Sequence, residues 1–69
     1  DYLRITAPET LRGTNSTLTI YDLSGRIRHH QVFPDSGVLE LDLQNLSSGQ
    51  YILVLKNKMS VGRASFIRY

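Results

Sequence analysis

The residues in this chain that could do chemistry are few: the adjacent histidines His29 and His30, a scatter of serines, and the carboxylates Asp35, Glu40 and Asp42. Hydrolytic or transfer chemistry needs a nucleophile with a base in reach, paired carboxylates, or a metal with an open position. Neighbours on an extended strand project to opposite faces, so His29 and His30 cannot chelate one ion together. The serines fall mostly in turn segments, where their hydroxyls serve the backbone. The three carboxylates are expected in water, unpaired. Gly13, Gly25, Gly37, Gly49 and Gly62 stand alone, about twelve residues apart, which is the spacing of turns and not of a phosphate-cradling loop. No catalytic residue, metal ligand or cofactor is expected.

The elements that would have to position any site are short. Sixty-nine residues make one small domain with a thin core, and with no cysteine its stability must come from ordinary burial. The net charge is +2, and eight Lys and Arg residues are spread without a run or interleaved aromatics, so no nucleic-acid footprint is expected. The longest strongly apolar run, Tyr51 to Leu55, is far below a membrane-spanning length, and no membrane insertion is expected. The abrupt strand-like opening at Asp1 leads us to expect residues 1–69 to be a single domain excised from a larger precursor.

Alternation at period two dominates, and no twelve-residue window carries a helical stripe. Strands are predicted at Tyr2–Thr6, Thr17–Leu23, Arg26–Phe33, Val38–Leu43, Gln50–Lys56 and Val61–Arg68, with a short extra edge strand near Leu11. Pro8 and the cluster Gly13-Thr14-Asn15-Ser16 separate the first two, and Pro34-Asp35-Ser36-Gly37 reads as the turn of a hairpin. Leu39, Leu41 and Leu43 alternate with Glu40 and Asp42, which puts three leucines on the core face, each stabilising by roughly 1.5–3 kcal/mol before entropy. Tyr51–Leu55 is apolar at every position and is predicted as a central strand covered on both faces. The pattern predicts an all-β fold, a small immunoglobulin-like β-sandwich of six to seven antiparallel strands.

Two punctuated motifs stand out. In Asp22-Leu23-Ser24-Gly25 the aspartate can accept from the Ser24 amide and Gly25 can take the positive φ of a bulge, so the segment reads as a type I hairpin turn. Arg26 is left with three roles: pairing with Asp22, capping a strand edge, or facing a partner. In LSSGQY, Leu46, Gly49 and Tyr51 fit a tyrosine corner, with the ring in the core and the hydroxyl bonded back to the loop.

With those residues in place, the chain resembles the C-terminal sorting domain of the type IX secretion system, the type A form on cargo proteins of Bacteroidetes. LTIYDLSGRI, Leu18 to Ile27, resembles the family's apolar-x-apolar-Tyr-Asp-x-x-Gly-Arg motif. LELDLQNLSSGQYILVL, Leu39 to Leu55, resembles its leucine-rich strand followed by Leu-x-x-Gly-x-Tyr, and SFIRY, Ser65 to Tyr69, resembles its apolar-basic end. Two departures stand beside these matches. The family's Asn-Pro element upstream of the first strand is not found, and Arg68-Tyr69 occupies the place of a commoner lysine pair.

The resemblance implies a non-catalytic secretion signal, recognised in the periplasm by the outer-membrane translocon and carrying its passenger to the cell surface or the medium. A sortase-like protease would then cut on its N-terminal side and attach the passenger to lipopolysaccharide. It implies Tyr21, Asp22, Gly25, Arg26, Gly49, Tyr51, Phe66, Ile67 and Arg68 as residues that the translocon reads or that hold the fold. The basic C-terminal strand is expected to add to a partner's sheet edge. Open edges would also permit a strand-swapped homodimer. The alternative is an immunoglobulin-like accessory module binding carbohydrate or protein beside an enzyme. It is disfavoured by the lack of tryptophan for sugar stacking.

Overall fold

The alternating segments become six antiparallel strands in the computed structural model, which describes residues 1–12 and 15–69. They are β1 (Tyr2–Thr6), β2 (Thr17–Asp22), β3 (Ile27–Val32), β4 (Val38–Asp42), β5 (Gly49–Lys56) and β6 (Val61–Arg68). Each lies within a residue or two of its predicted bounds. The strands form a four-stranded sheet in the order β3-β2-β5-β6 and a two-stranded sheet β1-β4. The all-β reading holds, with six strands.

Side-chain parity decides where the core sits. Leu18 pairs with Leu55 and Ile20 with Leu53 across β2 and β5, so these residues share the inner face of the larger sheet. Leu41 of β4 and Ile5 of β1 face them from the smaller sheet, and Phe33, Leu43 and Leu46 close the ends. Leu18 and Ile20 have no exposed surface at all. Of the three predicted core leucines, Leu41 and Leu43 are buried and Leu39 packs at the margin, while Glu40 and Asp42 are exposed. Glu40 is not unpaired as expected, since Arg4, its register partner on β1, donates to it at 3.4 Å.

Three expectations are corrected. The segment near Leu11 is a single 3-10 turn, Glu9–Leu11, closed by the Leu11 amide on the Pro8 carbonyl at 2.9 Å, with Leu11 buried. One buried residue needs one turn, not an edge strand. Pro34–Gly37 is a turn, with the Gly37 amide donating to the Pro34 carbonyl at 3.1 Å, but it makes no hairpin. It carries the chain from β3 in one sheet to β4 in the other, where β4 pairs with β1. β5 is an inner strand, yet only its Tyr51, Leu53 and Leu55 face is covered; Ile52 and Val54 are half-buried on the outer face. The smaller sheet lies on one side alone. In the predicted turn cluster, Gly13 and Thr14 lie outside the described residues.

Two strands over four leave both flanks open. A cleft of about 230 Å³ opens where β4 overlies β3, lined by Arg28, His29, Leu41 and Leu46. A second of about 230 Å³ lies between β1 and β6, lined by Ile5, Leu53, Leu55 and Ala64. Among the described residues no helix is long and apolar enough to cross a membrane.

Candidate functional site

The β2–β3 turn is built around one carboxylate. Asp22 Oδ1 accepts from the Ser24 hydroxyl at 2.6 Å, the Ser24 amide at 3.0 Å and the Arg26 amide at 3.0 Å. Gly25 follows at φ +90°, a conformation that costs a side-chain-bearing residue and leaves glycine unstrained. The Ser24 hydroxyl chiefly, and then the backbone amides and the Arg26 charge, hold the Asp22 carboxyl below its usual range; its partial desolvation opposes them. Arg26 therefore pairs with Asp22, Nε to Oδ2 at 3.6 Å, while 77% of its side chain stays exposed. Such a solvent-screened pair contributes little to stability. A second cation, Arg28, lies 3.8 Å from the same oxygen. Spacing alone did not point to it. The register slips between Ile20 and Tyr21, whose partners are His29 and Ile27, so Arg28 is the extra residue of a bulge and swings to that side.

The corner before β5 is equally closed. The Tyr51 hydroxyl donates to the Ser47 carbonyl at 2.6 Å, and its ring is buried against Phe66, centroids 5.5 Å apart and planes 23° from parallel. This is the predicted tyrosine corner. Gly49 opens the strand at φ +153° and is exposed. The C-terminal strand is not a free tail. β6 pairs with β5 along its whole length, from Val61 opposite Lys56 to Arg68 opposite Gly49. Arg68, with 21% of its side chain exposed, turns inward: its Nε donates to the Leu46 carbonyl at 2.7 Å and its Nη1 to Asp1 Oδ2 at 3.0 Å. The Ser48 hydroxyl reaches the Tyr69 carbonyl at 2.8 Å. Ile67, on the opposite face, is 53% exposed.

Motifs far apart in sequence thus meet at one end of the sandwich. Asp22 is the register partner of Tyr51, and Tyr51 of Phe66, so one row across three strands joins the hairpin, the corner and the C-terminal strand. Gly25, Arg26, Gly49 and Arg68 frame that row. Tyr21 stands apart, half-buried on the outer face opposite Ile52.

The chemistry of this end is hydrogen bonding and charge. His29 Nε2 lies 2.7 Å from Gln31 Oε1 and His30 Nδ1 lies 2.8 Å from Thr19 Oγ1, on opposite faces as expected for strand neighbours. Among the described residues no group of three or more His, Asp or Glu side chains could hold a metal ion. What the fold and this end define is a β-sandwich module whose distinguishing residues are drawn into a single closed surface.

The comparisons with known proteins give that module a family. The model of the secretion system C-terminal sorting domain matches residues 1–67, and the chain belongs to this family, the sorting tail of type IX secretion. As a family these domains direct export across the outer membrane, which brings the chain into contact with the secretion machinery. No curated protein and no solved structure matches the chain.

Proposed function

We propose that this domain is a non-catalytic address. In this reading the type IX outer-membrane translocon recognises it in the periplasm and moves its passenger to the cell surface or the medium. A sortase-like protease then removes it on its N-terminal side and links the passenger to lipopolysaccharide. The organisms of this reading are Bacteroidetes, and residues 1–69 are one domain of a larger cargo precursor.

The observation that carries the proposal is the row Asp22–Tyr51–Phe66, which gathers all three family-like motifs at one end of a domain that the family model covers over residues 1–67. A signal spread over 45 residues of sequence becomes one surface only in the folded state, so in this reading the translocon recognises a fold. Within that surface Arg26, paired with Asp22 yet 77% exposed, is the charged side chain most open to a partner, while Asp22, Gly25, Gly49, Tyr51, Phe66 and Arg68 shape it, and Tyr21 and Ile67 lie on the face beside it. A strand-swapped homodimer belongs to the same proposal, since β3 and β6 are the edges of the larger sheet. A single mass across concentrations in light scattering after size exclusion would remove it.

The test is a fusion of these residues, with a signal peptide and a fluorescent passenger, in a Bacteroidetes host. Fluorescence at the surface or in the medium that disappears in a translocon mutant is the expected result. A passenger held in the periplasm of the wild-type host overturns the proposal.

A further inference from the structure

We propose that the outer face of the four-stranded sheet is the docking surface for an acidic amphipathic helix of a protein partner. This inference rests on the reading of the domain as an address and names the chemistry of what reads it.

Register places the face's side chains in rows. Val32, Thr17, Lys56 and Val61 form the first, His30, Thr19, Val54 and Arg63 the second, and Ile27, Tyr21, Ile52 and Ser65 the third. The smaller sheet covers the other face, so this one is open. Ile27 and Val61 are each 62% exposed and Val32 68%, so large apolar side chains stand in water on both edge strands of this face. The apolar residues run diagonally, from Val61 through Val54 to the Tyr21–Ile52 pair and on to Ile27. A shallow groove of about 430 Å³ follows part of this line; the one carboxylate in its lining, Asp22, is already paired with Arg26 and Arg28.

Charge selects the occupant. Lys56 and Arg63 lie on either side of the Val61–Val54 step, diagonal neighbours on one face, at a spacing of about 7–8 Å where like charges repel. Among the described residues neither has an ion-pair partner, and none of the three rows contains a carboxylate. The imbalance extends beyond the face: all six Asp and Glu residues precede Leu43, while Lys56, Lys58, Arg63 and Arg68 follow it. An apolar stripe with a cation on each side at its β5–β6 end is complementary to a helix whose apolar stripe is flanked by carboxylates. Four strands about 4.8 Å apart span roughly 15 Å, which about three turns of helix would cover.

The test uses the 69-residue chain, labelled with nitrogen-15, and two synthetic amphipathic helices with the same leucine stripe, one flanked by glutamates and the other by lysines. The glutamate helix should shift the amides of Tyr21, Val54, Val61 and Arg63, and the double charge reversal Lys56→Glu with Arg63→Glu should weaken it by about tenfold or more. The milder pair Lys56→Gln and Arg63→Gln should weaken it less, with the thermal unfolding midpoint preserved. Shifts confined to other surfaces, equal binding of the lysine helix, or sedimentation of the chain with phosphatidylglycerol vesicles in place of helix binding would overturn the inference. The passenger fusion separates the two readings. If the wild-type tail exports and the folded charge-reversed tail exports equally, the docking face is wrong and the address stands. If the wild-type tail fails to export, the address falls and the helix titration alone decides the docking face.

Discussion

The motif-bearing end and the open sheet face use arginine in opposite ways, and β6 carries one example of each. Arg68 donates its hydrogen bonds inward, to the Leu46 carbonyl and to Asp1, and ties the C-terminal strand to the tyrosine corner. Arg63, five residues earlier and so on the other face, has no ion-pair partner among the described residues. At the end each arginine has a carboxylate partner within the chain, Arg26 and Arg28 sharing Asp22, while on the face Lys56 and Arg63 have none among the described residues. A residue that a family motif singles out can therefore serve the fold, and a residue outside the motif can carry the unmet charge.

If the end is closed in this sense, breaking it should cost stability first and export only as a consequence. The largest effect is expected at Tyr51. Tyr51→Ala empties a buried ring and should remove about 3–5 kcal/mol, against the roughly 3–10 kcal/mol that a chain this size holds in all, so urea unfolding should find the variant largely unfolded. Tyr51→Phe loses only the bond to Ser47 and should cost about 1 kcal/mol. Arg68 comes next. Arg68→Met leaves the Leu46 carbonyl and Asp1 without their donor and should cost about 1–3 kcal/mol. Arg68→Lys keeps the charge but lacks the planar fork that reaches both acceptors. Restored export with unrestored stability in Arg68→Lys would mean that the charge is read directly, and would break the comparison. Removing Phe66–Tyr69 is a poorer experiment, because it also removes the ring stacked on Tyr51.

Strand positions were legible because period two is a local signal, and the leucines at 39, 41 and 43 carry it almost unaided. The hairpin at Asp22–Gly25 and the corner at Leu46–Tyr51 were legible for a related reason: each is specified by a few residues acting on their own backbone. The misreadings involve choices made at long range. Pro34–Gly37 has the chemistry of a turn, but which sheet the next strand joins was decided by β1, more than thirty residues earlier in the chain. Tyr51–Leu55 looks covered on both faces because an inner strand of a larger fold would be, and here no layer among the described residues lies outside Ile52 and Val54. For Arg68 the choice between being read by a partner and holding the fold stayed open in the sequence, because the acceptors it meets, Leu46 and Asp1, are 22 and 67 residues away.

Smaller effects sharpen the contrast within the end itself. Gly25→Ala forces a side chain into φ +90° where there is nothing within 4 Å to clash with, so its cost should be the backbone term alone, about 1–2 kcal/mol. A much larger loss would reveal a contact at the hairpin tip. Asp22 should show its role through pH. Because its folded pKa is lowered, by the Ser24 hydroxyl first, its contribution is present above the ordinary aspartate value of about 3.9 and is lost as pH falls through the folded value beneath it. Thermal unfolding of the wild type and Asp22→Asn should therefore differ at pH 7 and converge in that acid window. A gap that persists unchanged to the lowest pH would assign the difference to geometry and not to charge.

The smallest effect on stability is expected on the open face, where it tests the other half of the comparison. Val61→Thr and Ile67→Thr keep a β-branched side chain that suits an extended strand, and both positions are more than half exposed, at 62% and 53%. Substitutions at such sites usually fall within about 0.5 kcal/mol, so urea midpoints should barely move. A solvated face that needed no partner would tolerate threonine without consequence for export, and its isoleucine and valine would be incidental. Loss of export at unchanged stability would mean that these side chains are buried only in a complex, which is the state that the open face lacks in the isolated chain. A destabilisation above about 1 kcal/mol would instead place them in the fold of the monomer and remove the distinction between a closed end and an unmatched face.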